Sequence, residues 1–347
     1  MKVMIIGICS YGGTGSSAVV DLLKEYKELQ VLGNAEFQYS FQVDGLEDLE
    51  YHLLKQYSRH MSGDIAIHRF LDSTISWAKT PLVHKTIPPK EFIRLTKKYT
   101  NSLIQECWIG LDNSDYMSKS ILKNSVVLGF KKIIFPLYEK ITHHSWDKWP
   151  ARRLYLSINP DDFYKLTQEY TTSLLKAAGA DFNKPVVLDQ PFEGNAPQQS
   201  FPFFKDPRAI VVDRDPRDLW ILAKYAGNWT GEGRFMPRKD VKTFVEYYKK
   251  LRKNQLREDS ENIIFVNFED LIYEYDKTIE KIENFLNISH HDNPYKYFNP
   301  KISINNTRLM DRYPNSKADM EYIEKNLSDY LYDFSKYKKV KYDRNIF

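Results

Sequence analysis

Apolar residues run unbroken through Met4-Ile5-Ile6-Gly7-Ile8-Cys9, give way to Ser10-Tyr11-Gly12-Gly13-Thr14-Gly15-Ser16-Ser17, and resume at Val19-Val20-Asp21-Leu22-Leu23. A short apolar run bounded by a glycine turn reads as a strand buried on both faces, and the resumed run from Val19 as the first turns of a helix. The same unit recurs at Ala209-Ile210-Val211-Val212-Asp213-Arg214-Asp215-Pro216, where proline opens the next helix. Shorter strand runs stand at Leu29 to Leu32, Pro185 to Leu188 and Ile263 to Asn267. Strands alternating with helical spacing predict βαβ units, hence an α/β fold with a central parallel sheet.

Between residues 46 and 180 the pattern changes. Leu49, Leu53 and Leu54, then Phe92, Leu95, Tyr99 and Leu103, recur at helical intervals, as does the region from Lys119 to Lys123. Ser125 to Phe130 interrupts them with a strand-like run, and Asn159-Pro160 supplies a cap and first-turn proline for a helix that Gly179 would stop. The expectation is a single domain, 1–347, with 46–180 inserted as a mainly helical lid over an acceptor. Thr243 to Arg257 is amphipathic: Phe244, Tyr247, Tyr248 and Leu251 form a stripe, and Lys249, Lys250, Arg252 and Lys253 read as the solvated face. The tyrosine-rich tail from Tyr322 reads as a terminal helix.

Composition narrows the partners. A net charge of +4 from 50 basic and 46 acidic interspersed residues does not imply nucleic acid. Cys9 and Cys107 cannot build a disulfide framework, and Cys9 reads as a small buried strand residue. The first apolar run is too short for a signal peptide and no run reaches transmembrane length, so the expected setting is cytoplasmic. The 24 tyrosines suit a carbohydrate or aromatic acceptor.

The turn from Tyr11 to Ser17 has the residue types of a phosphate cradle. Glycines let backbone approach an anion, and free N–H groups at a helix start point toward it, with Thr14, Ser16 and Ser17 as further donors. A Walker loop would end in Gly-Lys-Ser or Gly-Lys-Thr; here Gly15 is followed by Ser16 and the turn contains no lysine, which disfavours an ATPase or kinase. Arg214, at the end of its own strand, can face the same crevice, because ligands of open α/β sheets bind outside the carboxyl ends of strands. Two anion sites imply a ligand phosphorylated at two ends.

Three segments resemble the sulfotransferase family, which uses 3′-phosphoadenosine 5′-phosphosulfate on a P-loop-like three-layer fold. Tyr11-Gly12-Gly13-Thr14-Gly15 is similar to its 5′-phosphosulfate loop, and Val211-Val212-Asp213-Arg214-Asp215-Pro216-Arg217-Asp218 to its 3′-phosphate motif. Ile263 to Leu271, followed by a helix ending Ile282-Glu283-Asn284-Phe285-Leu286, is similar to its strand, Glu-Asp-Leu turn and closing helix. The resemblance implies sulfo transfer to a hydroxyl or amine of a glycan or small acceptor, with Tyr11, Gly12, Gly13, Thr14, Gly15, Ser16, Ser17, Arg214 and Arg308 at the nucleotide, and no metal. Two positions depart from it. Tyr11 stands where the family carries a lysine or arginine two places before its Gly-Thr pair, and Leu222 stands where cytosolic members carry a serine.

Sulfo transfer needs a base on the acceptor. Glu36 resembles the catalytic glutamate of the glycan branch of the family, and Asp189 ends the strand where cytosolic members carry their catalytic histidine; His68 and His84 are reserves. Lys85, Lys131, Lys132 and Lys205 are candidates for the missing loop cation. Glu269 and Asp270 read as groups that orient a turn. The alternatives are a P-loop nucleotide or sugar kinase, and a nucleotide-binding protein without catalysis.

Overall fold

The computed structural model describes residues 4–59, 61–111, 121–143, 151–226, 236–255 and 258–342. In chain order its strands are β1 (Ile5–Cys9), β2 (Gln30–Glu36), β3 (Glu106–Leu111), β4 (Ala151–Leu156), β5 (Val186–Asp189), β6 (Pro207–Asp213) and β7 (Ile263–Asn267). The longer helices are α1 (Ser16–Leu23), α2 (Ser62–Ala78), α3 (Pro89–Leu103), α4 (Ile121–Thr142), α5 (Phe163–Ala177), α6 (Pro216–Lys224), α7 (Val241–Leu251), α8 (Tyr275–Leu286) and α9 (Lys317–Asn326).

Five strands pair in the order β2-β5-β1-β6-β7, all parallel. Because side chains alternate along a strand, the sheet buries two different apolar sets. Ile6, Ile8, Val187, Ile210 and Val212 pack on one face with Val19 and Leu22 of α1 and Ile282 of α8. Ile5, Cys9, Val186, Leu188 and Val211 pack on the other with Phe70 of α2, Phe92 of α3 and Leu174 of α5. This is the three-layer α/β arrangement, and each fully buried Ile or Leu in it contributes about 1.5–3 kcal/mol. Helices α6, α7 and α9 gather separately around Trp220, Phe244 and Ile323.

The chain runs from β1 out to β2, returns to β5, then crosses over β1 to β6 and β7. That reversal is a topological switch point, where loops leaving the carboxyl ends of neighbouring strands diverge and leave a crevice. It places the glycine turn after β1 between the ends of β5 and β6.

Several elements differ from the sequence reading. Residues 125–130 belong to α4 rather than to a strand; the run was too short for periodicity to decide, and Ile133, Leu137 and Ile141 continue it at helical spacing. The hairpin pairing Glu106–Leu111 with Ala151–Leu156 carries no strong alternation and was not anticipated. Helix α5 starts at Phe163 behind Asp162 rather than at Pro160, while Gly179 takes a φ of 90° just past its end. The tail holds α9 and then short 3-10 turns at Ser328–Tyr330 and Phe334–Lys336. Lys119 lies outside the described residues.

Candidate active site

Strand β1 stops at Cys9, and α1 begins at Ser16 with Gly15 as its N-cap. Between them Gly12, Gly13 and Gly15 take φ of 81°, 71° and 93°, the left-handed region that only glycine enters freely. A Cβ on Gly15 would also come within 2.5 Å of the Phe268 ring, whereas one on Gly12 would meet nothing within 4 Å. The turn is therefore packed against β7's end at Gly15 and open at Gly12. The N–H groups of Gly12, Gly13, Gly15 and Ser16 have no acceptor among the described residues, as expected of donors at the start of a helix.

The three hydroxyls of the turn have different surroundings. Thr14 is buried and donates to the Val212 carbonyl at 2.7 Å, tying the turn to β6. Ser16 accepts from Gln190 Nε2 at 3.1 Å, and the same amide reaches Ser10, so Gln190 staples both ends of the loop. Ser17 is exposed. Tyr11, two places before Gly13-Thr14, donates its hydroxyl to the Gly194 carbonyl at 2.9 Å, and burial raises its pKa.

Arg252 covers Tyr11. Its guanidinium stacks 3.4 Å from the Tyr11 ring centre and 4.6 Å from that of Tyr248, and it pairs with Asp213 at 2.9 Å. Only 2 % of it is exposed, which corrects the reading of Arg252 as part of a solvated face. A buried charge is tolerable only with partners of this kind. Its spacing held the clue: Phe244, Tyr248 and Arg252 are four apart and share one helical stripe.

Arg214 is equally buried, at 2 % exposure. Its Nη1 donates to the Gly13 carbonyl at 3.1 Å, Nη2 donates to the Asn306 carbonyl, and the guanidinium lies 4.8 Å from the Phe268 ring centre. Its Nε is buried without a partner. The sequence separated Arg214 and the glycine turn into two anion sites; the fold brings them into direct contact. On its other side Arg214 lines a cavity of about 270 Å³ together with Asp213, Asp215 and Glu269; Asp213 is paired with Arg252, Asp215 with Arg217, and burial raises the Glu269 pKa.

Glu269 is buried and accepts from the Asp215 N–H at 3.0 Å, orienting the turn before α6. Arg308 is turned away from the glycine loop. Its Nε lies 3.4 Å from Asp311, its guanidinium 5.5 Å from the Phe334 ring centre, and its N–H donates to Asp218 at 2.9 Å.

The two carboxylates proposed as alternative bases are partners. Glu36 and Asp189 stand opposite each other in the β2–β5 register, at the carboxyl ends of adjacent strands. Asp189 Oδ1 is buried without a hydrogen bond, and its pKa is pushed up to about 7, first by burial and then by the charge of Glu36, with Lys24 opposing. Glu36 is reached by solvent and accepts from Gln38 at 2.6 Å; the protein around its carboxylate still raises its pKa. Asp189 adjoins Ile8 of β1, one residue before the strand's last position. The proton on Asp189 is thus released near neutral pH, within one strand of the glycine turn.

The reserves lie elsewhere. His68 stacks on Tyr155 and sits 3.3 Å from the Arg153 carbonyl, within the insertion. His84 and an exposed Lys85 fall in the short helix Pro81–Thr86, which packs on β2; Lys131 and an exposed Lys132 fall in α4. Lys205 is exposed and precedes the amino end of β6, the edge of the sheet away from the glycine turn.

No protein-family model matches the chain, and no curated protein matches it. Among solved structures it is similar to the sulfotransferase domain of the Synechococcus PCC 7002 olefin synthase, at 12 % identity and a TM-score of 0.37, over 84 % of this chain and 76 % of that one. It is similar also to the sulfotransferase domain of the curacin biosynthetic pathway, at 14 % identity and 0.36, over 95 % and 99 %. A third is the sulfotransferase STF9 from Mycobacterium avium, at 10 % and 0.35, over 99 % and 79 %. These likenesses concern the fold, and no residue role in this chain rests on them.

Proposed function

We propose that the protein is a sulfotransferase that moves a sulfo group from 3′-phosphoadenosine 5′-phosphosulfate to a hydroxyl or amine of a glycan or small acceptor. The observation that carries this reading is a lysine-free glycine turn with open backbone donors, set one strand away from a carboxylate pair in which Asp189 has its pKa pushed up to about 7. In such a transfer the donor's S–O bond breaks as the acceptor's O–S or N–S bond forms. The acceptor's proton must go to a base, and negative charge returns to the donor's phosphate. Glu36, the accessible member of the pair, takes the proton, and its charge together with burial keeps Asp189 behind it protonated up to about pH 7. The N–H groups of Gly12, Gly13, Gly15 and Ser16 hold the leaving phosphate and the Arg214 guanidinium the donor's 3′-phosphate, roles in which positioning and fixed donors do most of the work. Residues 46–180 form the acceptor side.

One observation favours a second reading. Asp189 ends the strand beside β1 and Ser17 stands exposed in the first turn of α1, the two groups that hold magnesium in P-loop kinases and ATPases. Calorimetry with 3′,5′-bisphosphoadenosine against ATP with magnesium separates the two. The sulfotransferase reading expects the bisphosphate to bind at least about tenfold tighter, a difference of roughly 1.4 kcal/mol. Equal or reversed affinity supports the kinase. Tight bisphosphate binding with no sulfo transfer to any of a broad acceptor panel identifies a binding protein instead.

A further inference from the structure

We infer that α4 is an amphipathic anchor that lays this protein on an anionic lipid surface. Val126, Phe130, Ile133, Leu137 and Ile141, spread over this 22-residue helix, are each between 58 % and 73 % exposed. At about 100° per residue they and Ile134 fall within an arc of roughly 100°. Phe135, on the far side of the helix, is 4 % exposed and faces the protein. Gly129, Lys132, Pro136 and Tyr138 are exposed as well, so the helix stands largely clear of the body with Phe135 turned inward, and it presents a continuous apolar face outward.

The exposure is concentrated. Nine of the 17 exposed large hydrophobic side chains among the described residues lie on α4 or on the β3–β4 hairpin, where Trp108 and Ile109 are exposed. The paired residues Leu111 and Ala151 close that hairpin at the end from which the chain departs toward α4 and returns. An apolar surface of this extent on one projection marks a site of contact.

Charge selects the partner. Helix α4 carries Lys123, Lys131, Lys132 and Lys140 against Glu139 alone, a surplus of three within a chain whose net charge is +4. Lys132 and Lys140 are exposed; by the same helical angle Lys140 lies at the edge of the apolar arc and Lys132 about 100° beyond that edge. A net-positive helix with an apolar face matches a bilayer of anionic lipid: the face enters the acyl boundary while long ammonium side chains reach toward headgroup phosphates. Among the described residues no helix is long and apolar enough to cross a membrane, so α4 lies on the surface rather than across it. A second copy of the chain fits less well, because pairing two α4 helices would bring their lysines together and Pro136 interrupts the ridge.

The inference rests on α4 and not on donor chemistry, so it stands or falls separately from the sulfotransferase reading. The test is co-sedimentation of the full chain with vesicles of phosphatidylglycerol and phosphatidylcholine in equal parts, and with vesicles of phosphatidylcholine alone. The anionic vesicles should bind at least about tenfold more strongly, and high salt should reduce the difference. The double variant I133E/L137E should lose binding to both by about tenfold or more. K132E/K140E should lose only the preference for anionic lipid, and both variants should keep the wild-type circular dichroism. No vesicle binding by the wild type, or unchanged binding by I133E/L137E, overturns the inference. So does a dimer in sedimentation equilibrium that I133E/L137E dissociates while neither protein binds lipid.

Discussion

Replacing Asp189 by asparagine should stabilise the protein, and more so as the pH rises. The folded chain holds the Asp189 proton up to about pH 7, whereas an unfolded aspartate releases it near 3.8. Between those values folding takes up a proton, so the wild type loses stability as pH rises, and above about 7 the loss is complete. Moving a carboxyl pKa that far corresponds to about 4 kcal/mol at 1.36 kcal/mol per tenfold, an upper limit because Asp189 is partly solvated. At pH 5 the unfolded chain has already ionised while the folded chain has not, so roughly a third of the effect is present there. The advantage of Asp189→Asn over wild type should therefore grow by about 2 kcal/mol from pH 5 to pH 8.5.

Urea unfolding followed by circular dichroism at the two pH values measures this growth. Asp218, whose pKa burial also pushes up to about 7, and Glu269, raised likewise by burial, add their own pH dependence to both proteins and cancel in the difference. Comparing the two pH values also removes any constant gain or loss from the new amide. If wild type and variant change stability in parallel, within about 0.5 kcal/mol, Asp189 titrates normally and the argument that burial and Glu36 hold a proton on it collapses.

Glu36→Gln should keep donor affinity by calorimetry and lower the initial rate of sulfo transfer about a hundredfold, since a positioned base is worth that much. A loss of that size in Asp189→Asn with none in Glu36→Gln moves the base to Asp189. Arg214→Ala should weaken 3′,5′-bisphosphoadenosine binding by about 2 kcal/mol through loss of a charge-assisted contact. An unchanged dissociation constant with native circular dichroism removes Arg214 from the anion site.

What the sequence could convey depended on how local each signal was. The strands of the parallel sheet and the helix after the glycine turn were legible because a buried strand must be apolar throughout and a left-handed turn must be glycine. Within the site, residue types were legible but not their pairing. Glu36 and Asp189 are 153 positions apart and meet only because β2 and β5 are neighbours, a fact of topology that no window of sequence contains. Gln190 comes after a strand without any marking residue around it, and its role depends on the distant Ser10 and Ser16. Arg252 was assigned to solvent on the ordinary rule for basic runs, while its eight-residue spacing from Phe244 placed it on the buried stripe. For Arg214 the strand end was correct, but its contact with Gly13 depends on β1 and β6 pairing side by side.

The strongest argument that this edge of the sheet is functional is energetic and needs no relative for support. A turn with three left-handed residues, a carboxylate with a buried, unpaired oxygen facing a second carboxylate, and an arginine with a buried, unpaired Nε all gather at the carboxyl ends of β1, β2, β5 and β6. The two buried, unpaired polar atoms are unfavourable in isolation, at about 1–3 kcal/mol each. A fold needing only packing there would be better served by an apolar residue or an amide at position 189. Such departures from local consistency are expected where a chain must bind or react, and here they gather at one end of the sheet beside open backbone donors. If the carboxylate pair is functional, asparagine at position 189 should therefore trade activity for stability: the same substitution that strengthens the fold at pH 8.5 should remove from the turnover profile the titration near pH 7 that Asp189 contributes. A variant that is more stable but has an unchanged pH profile would leave the strain at Asp189 without a catalytic purpose.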